Sequence, residues 1–218
     1  AADLAALATA LTGAGAQLAV HAIGDQAVTD TLDAFAAAKA AHPDRVVRHR
    51  VEHAQVVRPE DRPRFVALGV VASMQPTHAT SDMPWAPARL GPERVAWAYT
   101  WRSLLDLGVP LAFGSDFPVE GVDPALGLWA ATRRTDRQGQ PPGGWTPAET
   151  VPWPAAIAGF TSGAAWAVGE EGRLGVIRVG QPADLTVWQT SDATKWRATA
   201  TIVDGVVVWP PPPAPTAP

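Results

Sequence analysis

Residues 46–57 read VVRHRVEHAQVV, and whether this stretch is a helix or a strand decides both the fold and the chemistry. As a helix it would carry His49, Glu52 and His53 in an H-x-x-E-H pattern, in which two histidines bind zinc and the glutamate activates water. Five of the twelve residues are valine, however, whose branched side chain loses rotamer freedom in a helix and fits a pleated strand. On a strand, alternation turns Glu52 away from both histidines and dissolves the motif. We therefore read a strand ending at His53. His49 shares its parity and is expected to point inward, lower down, packed and hydrogen-bonded.

Outward from this strand the pattern alternates. Upstream, residues 17–21 (QLAVH) form a short apolar run, and 25–41 an alanine-rich helix with Val28, Leu32 and Phe35 on one face, stopped by His42-Pro43-Asp44. Downstream come a helix over 59–68, a strand over 70–75 and a helix over 92–107 that puts Trp97 and Trp101 four apart on one face. A buried strand over 110–115 (PLAFGS) and a proline-interrupted helical region over 146–168 complete the series. Short apolar strands joined by helices of ten or more residues predict parallel pairing, because parallel neighbours need a crossover of that length. The fold class is α/β. A closed barrel of this kind needs eight such units and about 250 residues. Four are visible, so half a barrel with two raw edges is expected over 1–171.

From Gly172 the texture changes to glycine-punctuated β pattern, GRLGVIRVGQPADLTVWQ and then ATATIVDGVVVW, with a turn at Asp204-Gly205. Residues 172–209 are expected to form a small antiparallel element. The final PPPPAPTAP, residues 210–218, supports neither ladder nor helix and reads as an extended tail.

Composition narrows the function classes. The chain has 218 residues, 47% hydrophobic and 17% charged, with a formal charge of −4 and basic residues scattered rather than clustered. That lacks the electrostatic footprint of a nucleic-acid binder and points to a small-molecule or protein partner. With no cysteine there is no disulfide, thiolate cage or cysteine nucleophile, so any metal must be held by nitrogen and oxygen. No membrane-spanning or targeting segment is visible, and a cytoplasmic location is the expectation. The chain starts at Ala1 inside a helical pattern of Leu4, Leu7 and Leu11, which reads as the C-terminal part of a larger protein.

Four polar residues follow strand segments: His21, His53, His78 and Asp116. In parallel α/β barrels such positions converge on one mouth, where the active sites lie. Imidazoles with a carboxylate suit a borderline divalent ion, zinc first and iron, manganese or nickel after it. The plainer alternatives are hydrogen-bonded structural histidines and, for Asp116 between Ser115 and Phe117-Pro118, a turn or cap.

Taken together, VHAIGD at 20–25, RVEHAQ at 50–55, SMQPTHATSDM at 73–83, GSDFPVE at 114–120 and GQPADLTVW at 180–188 resemble the amidohydrolase superfamily, and within it the YtcJ-like group. The resemblance implies a metal-dependent hydrolase on a (β/α)8 barrel, with a small β-sandwich built from both ends of the full protein. This chain would supply strands five to eight. His21 and His53 would ligate one metal, and Asp116 the other or the single ion while shuttling the proton of the attacking water. His78, Asp82 and Arg94 match positions near the substrate, an amide-like small molecule with a non-peptide carbon–nitrogen bond. The cofactor implied is one or two divalent ions, zinc foremost. Neither the first-strand His-x-His pair nor the fourth-strand lysine is present, since the only lysines are Lys39 and Lys195. The chain by itself is therefore expected to be inactive, to lack its N-terminal half of the barrel, and to self-associate through exposed edges, with no nucleic-acid or membrane partner.

Overall fold

The computed structural model describes residues 2–190 and 196–210, so the proline-rich tail expected at 210–218 lies outside the described residues beyond Pro210. A first helix, α1 (Ala2–Gly13), leads into β1 (Ala19–Ala22) and α2 (Asp25–Ala41), followed by β2 (Arg50–His53), α3 (Arg62–Leu68), β3 (Val71–Met74) and α4 (Pro76–Asp82). Then come α5 (Ala86–Arg94), α6 (Trp101–Asp106), β4 (Leu111–Phe113), α7 (Pro124–Arg133), α8 (Trp153–Phe160) and α9 (Ser162–Ala167). Strands β1 to β4 form one all-parallel sheet in chain order, with Ala19 opposite Arg50, Glu52 opposite Ser73 and Met74 opposite Phe113. None of the described helices is long and apolar enough to cross a membrane.

Strand parity divides the sheet into two faces. Val51, Ala72 and Met74 are buried in the main core with Val28, Leu32 and Phe35 of α2, at the spacing expected of one helix face. On the opposite face His21, Glu52, Ser73 and Ala112 stand in register across the four strands, because paired residues of parallel strands project to the same side. α9 covers the start of this face, where Ala167 packs with Val71 and Ala112. Its last carbonyls accept from Gln17 Nε2 (Ala167 O, 2.6 Å) and Arg48 Nη1 (Trp166 O, 3.0 Å), which matches donors to the negative end of the helix.

The decisive stretch is a strand over Arg50–His53 only, and residues 46–49 are not part of the ladder. His49 points away from the site, against the expectation: it stacks on Phe35 of α2 with ring centroids 4.6 Å apart. The parity that it shares with Val51 sends it to the helix side. His53 departs from that parity because its φ of 75° lies in the left-handed region, which swings its side chain off the strand alternation.

The helix expected over 92–107 is also broken. Gly91 (φ 77°, ψ 173°) kinks α5 before Pro92, and a short 3-10 turn spans Val95–Trp97. An antiparallel bridge between Val56 and Ala98, with the Tyr99 N–H donating to Gln55 O at 2.7 Å, then interrupts the helix, and Tyr99 turns with φ 54° before α6 begins. Trp97 and Trp101 thus sit on different elements. The 146–168 region resolves into a 3-10 turn at Pro147–Glu149 and the two helices α8 and α9.

A second, antiparallel sheet consists of β5 (Leu185–Thr190), β6 (Trp196–Val203) and β7 (Val206–Trp209). Asp204 and Gly205 turn the β6–β7 hairpin with φ of 48° and 78°, the left-handed pair that matches strand twist. Trp196 stacks on Trp153 of α8 at 4.5 Å.

Candidate metal centre

Each chemically interesting side chain sits where a parallel strand ends. His21 is the third residue of β1, His53 the last of β2, and His78 lies in the first turn of α4, which starts two residues after β3. Asp116 follows β4 with φ 57°, and its carbonyl accepts from the Val119 N–H at 2.8 Å, closing the turn that aims its side chain. The turn expected there as an alternative to chemistry is thus real, but it uses the backbone of Asp116 and leaves the carboxylate 39% exposed.

His53, His78 and Asp116 each offer a donor atom, and these three atoms lie within 4.8 Å of one another. His21 packs edge-on against His53, ring centroids 4.5 Å apart, and His53 lies nearly parallel to His78 at 5.8 Å. His78 Nε2 and Asp116 Oδ2 are 3.8 Å apart, beyond hydrogen-bond distance. The same Nε2 is buried and has no hydrogen-bond partner. A buried nitrogen facing a carboxylate across such a gap wants a third group between them. Burial lowers the His53 pKa, outweighing the opposing effects of the hydrogen bond accepted by Gln75 Oε1 and of the nearby Asp116 charge. A neutral imidazole is the form that can donate a lone pair. Two imidazoles and a carboxylate within this span fit a divalent ion.

The donor group therefore consists of His53, Asp116 and His78, the last of which was expected near the substrate, whereas His21, expected as a ligand, stands outside the group and meets it through its ring contact with His53. Asp82 is already engaged: its Oδ2 accepts from the Tyr99 hydroxyl and from Gln55 Nε2 at 3.0 Å. Arg94 stays on the exposed end of α5, with Nε donating to Leu90 O at 3.2 Å and no hydrogen bond or ion pair to the cluster. Three supporting residues were not singled out from sequence. Gln75 Oε1 lies 2.8 Å from His53 Nδ1. Tyr99, buried at 2% exposure, ties α4 through Asp82. Arg134, fully buried over the Trp101 ring at 4.4 Å, donates to Tyr99 O at 2.9 Å and to Trp145 O at 2.6 Å. Burial pulls its pKa down to about 10, which leaves it charged at neutral pH. Gln75 lies in the stretch SMQP at 73–76, where only its position at a strand end hints at a role.

Comparison with known proteins supports one family throughout. A model described as amidohydrolase family matches residues 1–209. YtcJ of Bacillus subtilis (strain 168), assigned to the amidohydrolases, is 37% identical over 174 residues, covering 79% of this chain and 32% of YtcJ. The N-substituted formamide deformylase of Arthrobacter pascens is 30% identical over 217 residues, covering 94% of this chain and 38% of its own length. The chain thus spans about a third of the length of the curated relatives it matches. Among solved structures, an uncharacterized metal-dependent hydrolase from Pyrococcus furiosus superposes with a TM-score of 0.68 at 33% identity, covering 83% of this chain and 35% of that one. A triazine hydrolase variant shares the fold at a TM-score of 0.62 and 20% identity, covering 94% of this chain and 46% of its own. With the ordered strand-end residues, these matches place the chain in the amidohydrolase family, within its YtcJ-like group.

Proposed function

We propose that this chain carries the metal-holding end of a hydrolase acting on non-peptide carbon–nitrogen bonds, such as those of amides and formamides. The carrying observation is the group of His53, His78 and Asp116, three donor atoms within 4.8 Å at the ends of adjacent parallel strands. His53, His78 and Asp116 would hold the ion, with His21 beside His53 able to join from the next strand. When bound, a divalent ion, zinc by preference for such donors, supplies Lewis acidity and water activation. The half-exposed Asp116 carboxylate takes the proton that the attacking water loses. It returns that proton to the nitrogen as the carbon–nitrogen bond breaks, so that amide and water give acid and amine. Asp82, held by Tyr99 and Gln55, fixes the end of α4 and with it the position of His78. A substrate role for Arg94 needs the loop around α5 to approach the mouth. The amide-like substrate class rests on the relatives, of which the Arthrobacter pascens protein is a formamide deformylase.

A second reading concerns the chain by itself. Strands β1 and β4 have no further neighbour among the described residues, and His21 on β1 is exposed. We read the four-stranded sheet as one half of a closed barrel, so that the chain alone binds metal without turnover and associates through its open edges. The test is amine release from N-substituted formamides and simple amides, beside metal content, for the purified chain and its His53→Ala variant. Turnover above the variant supports the first reading for the chain as it stands. Metal binding without turnover supports the second, and neither metal nor turnover overturns both.

A further inference from the structure

We infer that Gln75 is a positioning residue that fixes the tautomer of His53, so that its Nε2 lone pair faces the donor group; this rests on the metal-site reading above. The contact is built and sheltered. Gln75 and His53 are each only 9% exposed, and Gln75 Oε1 lies 2.8 Å from His53 Nδ1. An amide facing an imidazole can do so with either end, and the two choices have opposite consequences. With the carbonyl end toward the ring, Nδ1 must carry the proton and Nε2 is free to donate its lone pair. With the amino end toward the ring, Nδ1 becomes the acceptor, Nε2 carries the proton, and that nitrogen cannot ligate.

The orientation is decided on the other side of the amide. Gln75 Nε2 reaches the Ser73 carbonyl oxygen at 3.5 Å, and a carbonyl can only accept. The contact is long, but it has the sign that puts the NH2 group toward β3 and the oxygen toward the imidazole. Backbone position supports the same role. Gln75 is the residue between β3 and α4, with extended φ/ψ of −122° and 98°, and its side chain caps no helix N–H. It is therefore free to reach sideways to the last residue of β2. One side chain thus ties the strand bearing His53 to the junction that launches His78. Outer partners of this kind orient the ligand ring, and their loss lowers metal affinity about 10–100-fold.

The first arm of the test needs neither metal nor variant. Long-range 1H–15N correlation spectra of the metal-free, 15N-labelled chain at about pH 8, above the ordinary imidazole pKa, report which ring nitrogen carries the proton. The His53 signals are identified by their loss in His53→Gln. The expected result is a proton on Nδ1 in the natural chain and in Gln75→Glu, which keeps an acceptor oxygen. In Gln75→Met, of similar length but without that acceptor, the proton is expected to move largely to Nε2. The second arm titrates Co2+ and follows its visible absorption: Gln75→Met binds about 10–100-fold more weakly, while Gln75→Glu stays within a few-fold of the natural chain. A proton on Nε2 of His53 in the natural chain overturns the inference, as does an unchanged tautomer in a folded Gln75→Met. An Nδ1 proton together with no Co2+ binding by the natural chain supports the tautomer assignment and overturns instead the metal-site reading.

Discussion

Replacing Tyr99 by phenylalanine isolates the strut that holds α4. The ring stays, so the buried packing against Trp101 and Trp145, with centroids 6.4 Å and 5.7 Å away, is preserved. Only the hydroxyl that donates to Asp82 Oδ2 is lost. Burial, and after it the Asp82 carboxylate, pushes the Tyr99 pKa far above its ordinary value, so the phenol is a donor at every accessible pH. A hydrogen bond to a charged group contributes about 1.5–3 kcal/mol. Asp82 is half-buried and keeps Gln55 Nε2 at 3.0 Å, so water and the amide offset part of the loss, and the low end, about 1.5 kcal/mol, applies. For a chain of this size that lowers Tm by about 3–6 °C. Urea unfolding should show a lower midpoint with unchanged slope, since the same surface is exposed on unfolding. Because Asp82 lies one helical turn after His78 on α4, Co2+ binding should weaken alongside. A Tyr99→Phe chain whose midpoint and Tm match the natural chain would refute the strut.

Two further perturbations probe the frame. Leu18 N–H donates to His49 Nδ1 at 3.2 Å, so Nε2 carries the ring proton toward Thr12 Oγ1 at 2.9 Å, and the Thr12 hydroxyl donates to Ala8 O at 2.7 Å. A second proton on Nδ1 would set N–H against N–H, and burial lowers the His49 pKa in the same sense. The unfolded chain then binds the extra proton first, so this contribution is complete above about pH 6.5 and is lost as pH falls toward the depressed folded value. Urea midpoints measured between about pH 8 and pH 5 should fall in the natural chain and fall less in His49→Gln; equal slopes would count against the network. At Gly163, an added Cβ would lie 2.1 Å from Leu111 O, a close approach of α9 to β4 that only glycine permits. Gly163→Ala should cost about 1–3 kcal/mol in the same unfolding assay, and a neutral result would mean that α9 is not seated there.

How much of this was legible in the sequence follows from which signals are local. The α2 helix came out with its bounds, because an uninterrupted alanine-rich stretch with periodic Val28, Leu32 and Phe35 meets no competing interaction until Pro43. The four parallel strands were legible as apolar runs, and their ends located His21, His53 and Asp116. What failed depended on backbone sign and on distant partners. Helical periodicity over 92–107 gave no warning that Ala98 bridges Val56, or that Tyr99 takes φ 54° to do so. His49 was turned the wrong way because strand parity was counted from His53, the one residue whose left-handed φ leaves the alternation. Gln75, Tyr99 and Arg134 escaped notice because an amide, a phenol and a guanidinium carry no chemistry until the fold brings them to His53, Asp82 and the Tyr99 carbonyl. Asp82 was visible as an acidic residue, but its partners were not.

The central claim is that His53, His78 and Asp116 form one ion-holding group. Elemental analysis of the purified chain, after dialysis against zinc and then metal-free buffer, tests it most directly beside His53→Ala, His78→Ala and Asp116→Ala. The account predicts near-stoichiometric zinc in the natural chain and its loss in each folded variant. A natural chain that retains no metal, or variants that retain as much as it does, would contradict it.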